Sequence, residues 1–191
     1  MIFITGGTGL VGSHILLKLA KQSKEVKALK RASSSLDLCR RVFTYYNADD
    51  LFTKINWIDG DVNNIPSLED GMKHCDLLLH CAGIVSFSPS DIERLKKVNI
   101  EGTANVMNVA LSSGIKKAGF ISSIAALGRN STVGVINEES YFKATKLDSN
   151  YAFSKYFSEQ EVWRSSAEGL DVVIVNPSVI LGPGDWTKGS S

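Results

Sequence analysis

The stretch Ile2-Phe3-Ile4-Thr5-Gly6-Gly7-Thr8-Gly9-Leu10-Val11-Gly12 decides how the chain is read. Apolar, strand-forming residues run straight into a glycine-rich turn, and behind it Ile15, Leu16 and Leu19 recur at helical spacing. The order is strand, tight turn, helix. Gly6 supplies the turn, Gly9 lets backbone approach a ligand, and Gly12 lets the helix pack on the strand. The N–H groups of the first helical turn then point outward with the positive end of the helix dipole, a seat for a pyrophosphate. Thr8, Leu10 and Val11 complete that seat.

Outward from this stretch the same alternation repeats. Strands are expected at Ile2 to Thr5, Glu25 to Leu29, Ile55 to Asp59, Asp76 to Cys81, Ala118 to Ser122 and Val172 to Asn176. Helices are expected near Leu10 to Lys21, Leu36 to Phe52, Ser67 to His74, Asp91 to Ser113 and Tyr151 to Glu168, with Ser67 to Asp70 and Ser90 to Glu93 at capping-box spacing. Val172-Val173-Ile174-Val175 is apolar at every position, as in a strand covered by helices on both faces. The expected fold class is α/β: a doubly wound parallel sheet in three α/β/α layers, the Rossmann fold. No internal repeat or low-complexity tract interrupts it, so residues 1–185 read as one dinucleotide-binding domain, and 186–191 is too short to be another.

Composition narrows the function classes. The chain has 191 residues, 43% hydrophobic and 21% charged, as in an ordinary soluble domain. Lys and Arg number 21 against 20 Asp and Glu, and no block of like charge exceeds a pair, which argues against a nucleic-acid-binding face. Cys39, Cys75 and Cys81 are odd in number and lack metal-ligand spacing, so reduced thiols in a cytoplasmic protein and no metal site are expected. The N-terminal residues lack the basic and apolar regions of a leader, and the uncharged stretch before Lys18 is cut by glycines, so no membrane association is expected either.

The end of the second strand selects the cofactor. An NAD site usually places a carboxylate there, on the ribose 2′-hydroxyl. Here stand Lys30 and Arg31, which suit the 2′-phosphate of NADP(H) and favour it over NAD(H); solvated surface charges are the alternative. Asp61, in Gly60-Asp61-Val62, is a candidate partner for the adenine amino group, with a turn or cap role as its rival.

Tyr151 and Lys155 are four apart at the start of a helix, so both lie on one face. An ammonium beside a phenol lowers the phenol pKa and lets it exchange a proton with a substrate oxygen. The fifth strand ends in Ser122-Ser123 at the carboxyl edge where open α/β sheets bind ligands. Ser122 is the better candidate for satisfying local backbone and Ser123 for touching substrate, although sequence separates them poorly.

Together these residues resemble the extended short-chain dehydrogenase/reductase family, also called the NAD-dependent epimerase/dehydratase family. Thr5 to Gly12 is similar to its T-G-x-x-G-x-x-G loop and Gly60-Asp61-Val62 to its adenine-site element. His80-Cys81-Ala82-Gly83 is similar to its H-x-A-A segment, with Gly83 in place of the second alanine, and Val98 to Asn105 to its V-N-x-x-G-T-x-N helix. Ser122-Ser123, Tyr151-x-x-x-Lys155 and Asn176-Pro177 through Gly182-Pro183-Gly184-Asp185 follow in the family's order.

The resemblance implies that Ser123 polarises a carbonyl, Tyr151 is the acid/base, and Lys155 tunes it while binding the nicotinamide ribose. It implies that Asn99 holds a water or active-site backbone, that Val62, Ala82 and Gly83 line the cofactor, and that Pro177 and Ile180 contact its nicotinamide end. Arg31 and Asn176-Pro177 look like the dihydroflavonol reductase branch, so an NADP(H)-dependent reductase of a ketone or aldehyde is favoured. An NAD-dependent nucleotide-sugar epimerase or dehydratase and a non-catalytic dinucleotide-sensing module are the alternatives. Glu138, Glu139 and Tyr141 lie in a loop that either approaches substrate or is simply solvated. Family members continue into a small substrate-binding domain, which implies that 1–185 is the NAD(P)-binding domain and 186–191 the start of a truncated substrate-binding region. The helices carrying Asn99 and Tyr151 are the family's usual dimer faces, which implies a homodimer, although core packing explains Phe153, Phe157, Val162 and Trp163 as well.

Overall fold

The computed structural model describes residues 1–128, 136–140, 142–145 and 148–183. Tyr141, Gly184, Asp185 and residues 186–191 lie outside them. The strands are β1 (Ile2–Thr5), β2 (Val26–Lys30), β3 (Asn56–Asp59), β4 (Leu77–His80), β5 (Lys117–Ile121) and β6 (Asp171–Val175), joined by α1 (Leu10–Lys21), α2 (Asp37–Tyr45), α3 (Asp49–Phe52), α4 (Ile65–Met72), α5 (Ile92–Leu95), α6 (Gly102–Ser112) and α7 (Asn150–Ala167). The six strands form one sheet in the order β3-β2-β1-β4-β5-β6, every pair parallel. This is the expected doubly wound sheet. The chain winds outward from β1 to β3, then returns to the other side of β1 as β4, and a crevice opens where the winding reverses.

Alternation along the strands gives each face its own core. Phe3, Leu78 and Phe120 pack with Leu68 and Met72 of α4, Val106 and Met107 of α6 and Val162 of α7. On the other face Ile2, Ile4, Val26 and Ala28 pack under Leu16 and Leu17 of α1 and Val42 and Phe43 of α2. Only part of the sheet is covered twice. In register with Ile4 across Leu79 and Gly119 comes Val173, which is 46% exposed, and Val175 beside it is 50% exposed. β6 thus departs from the two-sided cover that its apolar run predicts.

Three local features also differ from the sequence-based expectations. The single helix expected over Leu36 to Phe52 is two, because Asn47 adopts a left-handed conformation at φ 52° that ends α2. Neither expected capping serine caps: Asn64 accepts from the Ser67 amide at 3.1 Å to start α4, and Ser90 bonds Ser88. The helix expected over Asp91 to Ser113 widens into a π-helical turn at Lys96–Glu101, which holds Asn99. No described helix is long and apolar enough to cross a membrane, and no described cluster of three or more His, Cys, Asp or Glu is placed to hold a metal ion.

Candidate dinucleotide cleft and proton-transfer site

A cleft of about 230 Å³ opens at the crevice, lined by the glycine turn after β1, the ends of β2 and β3, and the segment after β4. Gly6 takes φ +70°, and a Cβ there would lie 2.5 Å from the Ala82 nitrogen. Gly12 has no more room: its Cβ would meet the Gly6 carbonyl oxygen at 2.2 Å, so it seats α1 on the turn itself rather than on the strand. Gly9 is exposed and meets nothing nearer than 3.4 Å. It is the N-cap of α1 without a side-chain cap, and the first turn of Leu10, Val11 and Gly12 carries no acid. Its amide donors are thus left for an anion, and this donor set fits the phosphates of a dinucleotide.

Of the expected cofactor residues, Gly6, Thr8, Gly9, Lys30, Arg31, Asp61, Val62, Ala82 and Gly83 line this one cleft. Lys30 is less available than its position suggests, because sheet register places it opposite Asp59 and the two form an ion pair. Arg31 is exposed, with one long contact from Nε to Ser34 Oγ at 3.4 Å. Asp61 makes a turn: its carboxylate accepts from the Asn63 amide at 2.9 Å while its residue borders the cleft. Behind the cleft, His80 is fully buried between Thr5 and Thr103, bonded at 2.6 and 3.0 Å, and stacked on Phe120. Burial pushes its pKa down to about 3, so the imidazole is neutral. Thr5 Oγ1 also accepts from the Ala82 amide at 3.2 Å, which ties β4 to the glycine turn.

The second constellation forms where β5, β6 and α7 meet. Ser149 Oγ accepts from the Ala152 amide at 3.1 Å and starts α7, so Tyr151 and Lys155 share its inner face. Ser123 Oγ accepts from the Ala125 amide at 3.1 Å, leaving its hydrogen to be donated. Its hydroxyl lies close enough to Tyr151 to pull the phenol pKa down, but burial dominates and the phenol is raised above its ordinary value. This corrects the lowering by Lys155 that the spacing predicts. The Lys155 ammonium instead donates to the Ile121 carbonyl at 2.9 Å and sits 4.5 Å over the Phe120 ring. Burial pushes its pKa down to about 8, against Glu159 and Cys81, which raise it. Phe87, 70% exposed, meets Tyr151 edge to face at 5.7 Å and gives the mouth an apolar wall.

Asn99 links the two constellations. Its amide accepts from the Ile84 N–H at 2.8 Å and donates to the Ile84 carbonyl at 3.0 Å and to Ser154 Oγ at 2.9 Å. It therefore holds backbone that lines the cleft against the helix of Tyr151. Pro177 accepts from the Ile124 amide at 3.1 Å beside Ser123, and Ile180 is 39% exposed beyond it. Neither borders the cleft. Ser122, as the better candidate for local satisfaction, donates to Glu159 at 2.6 Å rather than to backbone. Sequence reasoning missed Glu159, although Tyr151, Lys155 and Glu159 recur every four residues.

Residues 2–191 match the NAD dependent epimerase/dehydratase family. The chain belongs to this family. Among its curated relatives, a putative dihydroflavonol 4-reductase of Synechocystis is 37% identical over 96% of this chain and 50% of its own. A UDP-glucose 4-epimerase of Vibrio cholerae is 30% identical over 96% of this chain and 52% of its own. The UDP-glucuronic acid 4-epimerase of Bacillus cereus, solved in complex with NAD, shares the fold at a TM-score of 0.79 and 21% identity, over 96% of this chain and 58% of that one. The chain thus spans about half the length of the curated relatives it matches.

Proposed function

We propose that the chain carries the cofactor and proton-transfer site of a cytoplasmic, NADP(H)-dependent oxidoreductase that reduces a ketone or aldehyde through Ser123, Tyr151 and Lys155. The observation that carries this is the buried Lys155 ammonium bonded to the Ile121 carbonyl at the end of β5, just before Ser123, with Tyr151 one turn earlier on the same helix. A bound dinucleotide supplies the hydride. The chain's residues manage the oxygen: Ser123 donates a hydrogen bond to it, and Tyr151 gives it a proton. Burial keeps the phenol protonated, so the proton that reduction requires is in place before the reaction. Lys155, whose ammonium is bonded to the Ile121 carbonyl, is the cation available to bind the nicotinamide ribose. Arg31, exposed at the ribose end, supports NADP(H), and Phe87 supports an apolar substrate. The free thiols of Cys39, Cys75 and Cys81 suit a reducing compartment. A homodimer through the faces of Asn99 and Tyr151 is part of the same proposal.

The Lys30–Asp59 pair favours a second reading, an NAD-dependent epimerase or dehydratase of a nucleotide sugar, because it neutralises one of the two cations. NADPH oxidation by the purified protein, over a panel of aromatic and aliphatic aldehydes and ketones, separates the two. Turnover that falls about 10²–10⁴-fold in Tyr151→Phe is expected. Equal turnover in that variant overturns the proton-donor role, and retained NAD without net oxidation of a nucleotide sugar moves the second reading ahead.

A further inference from the structure

We propose that Glu159 is a positioning residue for Ser123, Tyr151 and Lys155: one oxygen of its carboxylate gathers the ends of β5 and β6, and its charge stands one helical turn beyond the lysine. The proposal deepens the function above and rests on it for the identity of that set.

The geometry is specific. Glu159 Oε2 accepts from Ser122 Oγ at 2.6 Å and from Asn176 Nδ2 at 2.9 Å. The same Asn176 amide donates to the Ser123 carbonyl at 3.1 Å, and the Ser122 amide donates to the Val175 carbonyl at 2.8 Å. The two strand ends that carry Ser123 and Pro177 are thus fastened to α7, the helix of Tyr151 and Lys155. Oε1 faces Trp163 Nε1 at 3.4 Å. All these partners are neutral donors, so none cancels the carboxylate charge.

That charge matters because of what surrounds Lys155. Around it stand Ile121 and Phe120 on β5, His80 at the end of β4 with Cys81 just after it, and Glu159 on its own helix, where Tyr151 lies one turn earlier. His80 is neutral, burial pushes the Cys81 thiol up to about 12, and the Tyr151 phenol is raised, so none of the three offers the ammonium a counter-charge, and the group that does is the Glu159 carboxylate. Burial opposes the ammonium, and Glu159 holds the proton on it. Without the carboxylate, Lys155 loses its charge at a lower pH, while the hydrogen bonds to Ser122 and Asn176 can be kept by an amide.

The test is a titration of the Lys155 side chain by NMR in lysine-labelled protein, with Lys155→Met to assign the signal. In Glu159→Gln the midpoint is expected to fall by about one pH unit, a tenfold change in proton affinity. Ser122→Ala, which removes one hydrogen bond and keeps the charge, is expected to leave it in place. An unchanged midpoint in a folded Glu159→Gln overturns the proposal. Should that variant not fold, the other neutral variant, Glu159→Met, decides: a fall in the midpoint supports the proposal and no fall overturns it. The readout needs neither substrate nor cofactor, so its failure leaves the reductase reading standing, and a failed carbonyl assay leaves the role of Glu159 standing.

Discussion

The two halves of the sheet build their sites by different means. Around β1, β2 and β3, helices cover both faces, and the phosphate end of the cleft is made of backbone: a glycine turn without room for a Cβ at Gly6 or Gly12, and the uncapped start of α1. Around β4, β5 and β6, the Val173 and Val175 side stays exposed, and the site is made of side chains fastened to one another through Glu159, Asn176, Asn99 and Ser154. A backbone site depends on close approach, whereas a side-chain site depends on buried charge and hydrogen bonds. The first should fail when atoms are added and the second when polar groups are removed.

Adding atoms to the glycine turn should have the largest effect on cofactor binding. Gly12→Val puts a branched side chain where a Cβ already meets the Gly6 oxygen at 2.2 Å. The expected strain of about 1–3 kcal/mol falls on the turn that seats the phosphates. Titration with NADPH should show binding weakened about tenfold to a hundredfold. Unchanged affinity would break the contrast at its strongest point.

Removing apolar atoms from one face should distinguish the halves next. Ile4 is fully buried and Val175 is half exposed, although both point to the same side of the sheet. Ile4→Ala should cost about 2–5 kcal/mol in a urea melt, and Val175→Thr no more than about 0.5 kcal/mol. Comparable losses would mean that β6 is covered in solution after all.

The smallest effect is a slope in pH. His80, at the seam between the halves, has its folded pKa depressed from 6.5 to about 3 by burial. Between those values the unfolded chain binds a proton that the folded chain refuses, so stability is lost as pH falls below about 6.5. The loss should approach about 1.4 kcal/mol per pH unit. His80→Asn should flatten that slope in melts from about pH 7 to about pH 5, and a slope equal to wild type would place the titrating group elsewhere.

Periodicity and turn chemistry made most of the fold legible, because β1, α1 and the glycine turn are local in sequence. Tyr151 and Lys155 were legible for the same reason, being one helical turn apart. What escaped was set by register and burial. Nothing near Lys30 announces that Asp59 will face it across β2 and β3. The Tyr151 shift depends on how deeply the phenol is buried, which spacing does not state. Asn64 displaced Ser67 as the cap of α4 because the helix starts two residues before that serine. Glu159 resembled any exposed helical acid until the ends of β5 and β6 were brought against it.

The cleft is expected to take a dinucleotide whose ribose end is read by Arg31. Fluorescence titration of NADPH and NADH against the wild-type protein and Arg31→Ala tests it most directly. Tighter binding of NADPH is expected, with Arg31→Ala weakening NADPH about tenfold, as for loss of a charge-assisted hydrogen bond, and leaving NADH unchanged. Equal binding of the two dinucleotides, or a preference that survives in Arg31→Ala, would contradict it.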